Sequence, residues 1–106
     1  MGKSQRDKGY RTENNLRNLF IDSDIQCRRV PLSGGADGYK GDLIITVDEQ
    51  EHKAEVKCRG NGFKSLYEWL SDNEYLFVKA DRRPYLCVMT VDNFIEMCKT
   101  SVHGLN

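Results

Sequence analysis

Apolar positions change their spacing several times along the chain, and each change marks an element. Leu16, Leu19 and Phe20 recur at i, i+3 and i+4, which predicts a helix from about Gln5 to Ile21 with one apolar stripe. Ile25 to Pro31 reads as a strand, and the stretch LSGGADGYKG after it reads as a loop. Asp42 to Val47 and His52 to Cys58 alternate as two strands joined by a short acidic turn. A turn over Arg59 to Gly62 leads into a short helix, Phe63 to Leu70, that presents Phe63, Leu66, Tyr67 and Leu70. Tyr75 to Lys79 and Tyr85 to Val91 read as strands around a turn at Asp81 to Pro84. Asp92 is the expected cap of a final helix carrying Phe94, Ile95, Met97 and Cys98. The order α-β-β-β-α-β-β-α predicts an α/β or α+β domain built on one mixed sheet.

Register sharpens the central hairpin. Pairing Leu43 with Val56, Ile45 with Ala54 and Val47 with His52 keeps one face largely apolar. The turn holds neither Gly nor Asn, so four residues, Asp48 to Glu51, are expected to close it. The same register sets Asp42 opposite Lys57 and Ile44 opposite Glu55, so Asp42, Glu55 and Lys57 share one face at the base of the hairpin.

Bulk composition narrows the classes without choosing among them. The chain has 106 residues, 39% hydrophobic and 30% charged, as expected for one globular domain, with residues 1–7 as a flexible basic tail. No apolar run reaches the ~20 residues that span a bilayer, and MGKSQRDKGYR lacks the apolar centre of a secretory signal. A cytoplasmic protein with no membrane partner is expected. Cys27, Cys58, Cys87 and Cys98 form no CxxC, and neither His52 nor His103 lies at zinc-ligand spacing from them. They are read as reduced, buried thiols.

Net charge is zero, but its distribution is uneven. Met1 to Gly41 holds eight Lys/Arg against five Asp/Glu, whereas the remainder holds eight against eleven. Lys3, Arg6, Lys8, Arg11, Arg17, Arg28, Arg29 and Lys40 supply the basic excess. That pattern suits a phosphate-facing side, and equally a solvated helix face.

The hairpin base is where chemistry is expected. Two carboxylates ~4 Å apart at an effective dielectric of ~20 repel by about 4 kcal/mol, and a divalent cation between them reverses the sign. Hard oxygens of Asp42 and Glu55 suit Mg²⁺, which keeps several waters and takes few protein ligands. Lys57 would orient an attacking water or stabilise a pentavalent phosphate. Glu13 lies at the edge of the apolar stripe of the first helix, about 20° around from Phe20, where a carboxylate needs a partner; the metal end of the sheet is a candidate. The same residues also make an ordinary arrangement: an Asp42–Lys57 cross-strand pair, a solvated Glu55 and an exposed Glu13 facing Arg17.

Around these residues the sequence resembles the PD-(D/E)xK nucleases, in particular archaeal-type Holliday junction resolvases and related small phage endonucleases. The resemblance runs from about Lys8 to Asp92. It is carried by Lys8-Gly9 and Glu13, Arg28-Arg29-Val30-Pro31, Ser33-Gly34, Gly41-Asp42-Leu43-Ile44 and Glu55-Val56-Lys57. Gly41 stands where the motif's name has proline. The resemblance implies a restriction-endonuclease-like fold and hydrolysis of DNA phosphodiester bonds that leaves a 5′-phosphate. It implies Mg²⁺, replaceable by Mn²⁺, held by Asp42, Glu55, the Val56 carbonyl and Glu13, with Lys57 catalytic and no organic cofactor. Ser33 would lie beside the scissile phosphate, and Lys8, Arg11, Arg28, Arg29 and Lys40 would meet the DNA backbone. A four-way junction cut by a homodimer is the expected substrate, within the cell or, for a phage-encoded enzyme, within its host. A less selective phage or restriction-type DNase and an inactive DNA-binding module are the alternatives.

Overall fold

A computed structural model describes residues 3–30 and 42–103 of the protein, with side chains from residue 8 to residue 99. The element order is α1 (Lys3–Asp22), β1 (Cys27–Arg29), β2 (Leu43–Val47), β3 (Gln50–Ala54), α2 (Lys64–Leu70), β4 (Leu76–Val78), β5 (Leu86–Val88) and α3 (Val91–His103). This is a mixed α+β chain in the predicted order. The chain divides into two compact units, Met1–Cys58 and Arg59–Asn106.

In the first unit α1 begins at Lys3, within the stretch expected to be a basic tail. It stops because Asp24 turns left-handed, with φ 66°. The Ile25 N–H then donates to the Phe20 carbonyl at 2.9 Å and the Asp24 N–H to the Ile21 carbonyl at 3.0 Å. This is a Schellman closure made by aspartate in place of glycine, with Phe20 and Ile25 both buried beside it. The reversal feeds β1, which pairs antiparallel with β2, and β2 pairs antiparallel with β3. Leu43, Ile44 and Ile45 of the central strand are all buried, together with Cys27 and Val30. Three consecutive buried residues mean that β2 is covered on both faces.

The hairpin corrects the expected register. Leu43 pairs with Ala54, Ile45 with His52 and Val47 with Gln50. The turn is two residues long, and both Asp48 (φ 53°) and Glu49 (φ 67°) are left-handed. Such a turn matches the twist of the flanking strands, and here non-glycine residues accept its backbone cost. The shift is two residues, so each side chain keeps its face. β3 also ends earlier than expected, at Ala54, and residues 55–59 have no regular structure.

The second unit holds α2, the β4–β5 pair and α3. Leu76 pairs with Val88 and Val78 with Leu86, antiparallel. The described strands therefore form two antiparallel sheets, β1-β2-β3 and β4-β5, in place of one mixed sheet. Hairpin-linked neighbours pair antiparallel through short turns, whereas longer-range pairings leave no trace in local periodicity. The cap of α3 is also corrected. Thr90 accepts the Asn93 N–H on its Oγ1 at 3.1 Å and the Phe94 N–H on its carbonyl at 3.0 Å, so Thr90 caps the helix and Asp92 lies within it. Leu70 and Ile95 are this unit's buried hydrophobic residues among those described.

All four cysteines are free thiols. Cys27 is buried, Cys58 and Cys98 are half-buried, and Cys87 is exposed, which departs from the expectation that they would all be buried. No helix among the described residues is long and apolar enough to cross a membrane.

Candidate active site

Asp42 is the most firmly held of the candidate residues. Its N–H donates to the Ala54 carbonyl at 2.7 Å, and its own carbonyl accepts the Val30 N–H at 3.0 Å. Its carboxylate Oδ2 accepts the Val56 N–H at 2.7 Å. One residue thus joins the end of β1, the start of β2 and the segment after β3. The carboxylate also explains why β3 stops. Val56 gives its N–H to a side chain, and the backbone of Glu55 is bracketed by the two residues that bond to Asp42. An ionised acceptor makes this bond stronger than an ordinary ladder bond.

Glu55 and Lys57 lie two positions apart in the irregular segment after β3, and their side chains meet. Lys57 Nζ approaches Glu55 Oε2 to 2.7 Å, with the side chains 56% and 49% exposed. At the hairpin base, two separate contacts involve the predicted residues. Asp42 holds the backbone of the segment, and Lys57 pairs with Glu55 instead of Asp42.

Glu13 finds its partner on β1. Arg29 donates to Glu13 Oε1 from Nη2 at 3.0 Å and from Nε at 3.3 Å. Both side chains are mostly covered, at 28% and 18% exposure for Arg29 and Glu13. The Arg29 guanidinium also lies 4.3 Å from the centre of the Tyr10 ring. Tyr10 thus belongs to the cluster, a residue that sequence reasoning missed. Its one legible signal is its spacing of three residues from Glu13, which puts both on one side of α1. Arg17, the other cation near Glu13 in sequence, donates to Asn14 Oδ1 at 3.1 Å.

Among the basic candidates, Lys8 and Arg11 are exposed on α1. Arg28 is exposed and pairs loosely with Glu51 at 3.4 Å. Ser33 and Lys40 lie outside the described residues, as does the whole Gly-rich loop. Every described candidate falls within the first unit.

Among the described residues, no group of three or more His, Cys, Asp or Glu side chains gathers into a metal site. The donor chemistry nevertheless fits a hard divalent cation at two of the implied side-chain ligands. Asp42 and Glu55 offer carboxylate oxygens from adjoining chain segments, and an ammonium cation already sits against Glu55. Glu13 fits less well, because Arg29 neutralises it.

Burial pushes the Cys27 thiol above its ordinary range, and the nearby Arg17 guanidinium partly opposes that rise. A thiol held protonated in this way is a packing group and a poor nucleophile.

No protein-family model, curated protein or solved structure matches the chain. Its own residues and their geometry carry the functional reading.

Proposed function

We propose that the protein is a metal-dependent endonuclease that hydrolyses DNA phosphodiester bonds, with a restriction-endonuclease-like fold. The observation that carries this reading is the hairpin base. A carboxylate fixed by backbone hydrogen bonds stands against a segment that presents a second carboxylate and an ammonium, Glu55 and Lys57. Asp42, Glu55 and the Val56 carbonyl are the proposed ligands of Mg²⁺ or Mn²⁺. When bound, such an ion polarises the phosphate and lowers the pKa of a coordinated water.

The chain's own residues supply the rest. Asp42 keeps the Glu55 segment in position through its bond to Val56. Lys57 orients the nucleophilic water or meets the charge that develops on the phosphate. Glu13 holds Arg29, which lies on Tyr10 and can meet a phosphate with the guanidinium edge left over. Lys8 and Arg11 offer exposed cations on the same helix as Glu13. Ser33 and Lys40 are proposed as further phosphate contacts on the strength of the sequence resemblance.

The proposed substrate is a four-way junction bound by a homodimer, whose two sites would cut two strands. Exposed Tyr67, Phe77, Tyr85 and Leu86 in the second unit supply apolar surface for such an interface. The proposed setting is the cytoplasm of a cell, or of the host if the gene belongs to a phage.

The test is cleavage of a synthetic four-way junction, a linear duplex and a single strand, each with Mg²⁺, Mn²⁺ or EDTA. Asp42→Asn is the informative variant, because it keeps an acceptor for the Val56 N–H while removing the charge. Paired symmetric cuts in the junction, lost with EDTA and in the variant, are expected. Equal cutting of all three substrates would leave a general DNase. Absence of cutting with either metal would reduce the protein to a binding module.

A further inference from the structure

We propose that Lys57 is a built-in competitor for the cation site: its ammonium occupies the Glu55 carboxylate until a divalent ion displaces it. This inference rests on the metal reading above and adds a regulation of that same site. The contact itself is direct. Lys57 Nζ lies 2.7 Å from Glu55 Oε2, close enough for a charge-assisted hydrogen bond. A divalent ion bound by that carboxylate oxygen would stand in the space the ammonium fills.

Both side chains are about half exposed, so the pair is held by a modest, solvent-screened interaction. Such a pair yields to a doubly charged competitor. Asp42 is arranged differently. Its carboxylate is bonded to the backbone at Val56 and its main chain to Ala54 and Val30, so it stays fixed while the Glu55–Lys57 pair opens. The fixed ligand and the exchangeable ligand lie on neighbouring segments.

Displacement then has a second effect. Lys57, released from Glu55, becomes available to a phosphate oxygen at the moment the site gains its cation. The ammonium would stay beside Glu55 without the ion, and the site would lack both electrophilic groups. Binding of the ion therefore arms the lysine as well as the carboxylates.

Two charges in one place also set the direction of a mutational effect. Removing the ammonium abolishes the competition and a like-charge repulsion on the incoming ion. At a separation of about 5 Å in water-like dielectric, a single and a double positive charge repel by roughly 1–2 kcal/mol, which corresponds to about fivefold to thirtyfold in affinity before salt screening. Lys57→Met keeps the length of the side chain and removes the charge. Lys57→Arg keeps the charge.

The experiment is calorimetric titration of the full chain with Ca²⁺, which reads cation affinity without turnover. It compares wild type, Lys57→Met, Lys57→Arg and Asp42→Asn, each checked for native circular dichroism. The expected result is threefold to tenfold tighter Ca²⁺ binding by Lys57→Met, with Lys57→Arg within twofold of wild type. The gain for Lys57→Met should shrink as salt rises. Equal or weaker binding by Lys57→Met, with Asp42-dependent binding retained by wild type, would overturn the competition and leave the metal site standing. Absence of Ca²⁺ binding by wild type and Lys57→Met alike would overturn both. Binding by Lys57→Met alone would support the competition in its strongest form.

Discussion

At the residue scale, the same side-chain chemistry takes different roles according to what surrounds it. Asp42 was legible as a candidate ligand, but its bond to the Val56 N–H was not, because that bond depends on where β3 ends. Glu13 was legible as a carboxylate at the edge of an apolar stripe that needed a partner. The partner proved to be Arg29, a contact between residues far apart in sequence that no helical periodicity encodes. Cys27 gives a prediction at this scale. Burial raises its pKa, so the folded state keeps the thiol proton to a higher pH than the unfolded chain does. Its contribution to stability is fully present below the unfolded thiol value of about 8.5 and is lost as pH rises through the folded value. Urea unfolding between pH 7 and pH 10 should show stability falling with pH in wild type and a flatter dependence in Cys27→Ala. Parallel curves would remove Cys27 from the account.

At the scale of elements, the sequence carried the order of helices and strands completely and their pairing only in part. Strand and helix periods are local, so α1 through α3 appear in the predicted order. A turn without Gly or Asn predicts a longer loop and so a hairpin register two residues from the one observed. The chain instead places Asp48 and Glu49 in the left-handed region. That cost suggests an improvement. Glycine adopts this conformation without a Cβ penalty of roughly 1–2 kcal/mol. Glu49→Gly should therefore raise stability by about 1 kcal/mol, less the extra freedom glycine gives the unfolded chain. The reading is the urea midpoint at constant m-value. A lower midpoint would show that Glu49 makes a compensating contact.

At the scale of the whole molecule, charge and site coincide. The chain is neutral, yet its first 41 residues carry the basic excess, and every described candidate lies in the unit Met1–Cys58. Lys8 and Arg11 are three residues apart and both exposed, so they present their charges from the same side of α1. Binding to duplex or junction DNA should weaken linearly with the logarithm of salt concentration, since each phosphate contact releases counterions. Lys8→Ala or Arg11→Ala should each reduce that slope by about one and weaken binding alike for all sequences. An unchanged slope in either variant would assign that residue to solvent. The division into two sheets was not legible at this scale, because β4 and β5 look locally like any other pair of strands.

The position of β3 at the end of its sheet has a further consequence, for self-association. A terminal strand offers backbone groups that can recruit another chain unless something blunts the edge. β3 has the sequence QEHKA and is exposed from Gln50 to Lys53. Glu51 and Lys53 would have to lose their hydration, or face a like charge, if a second copy added its own β3 there. The charged side chains along β3 thus work against edge-to-edge growth into a fibre.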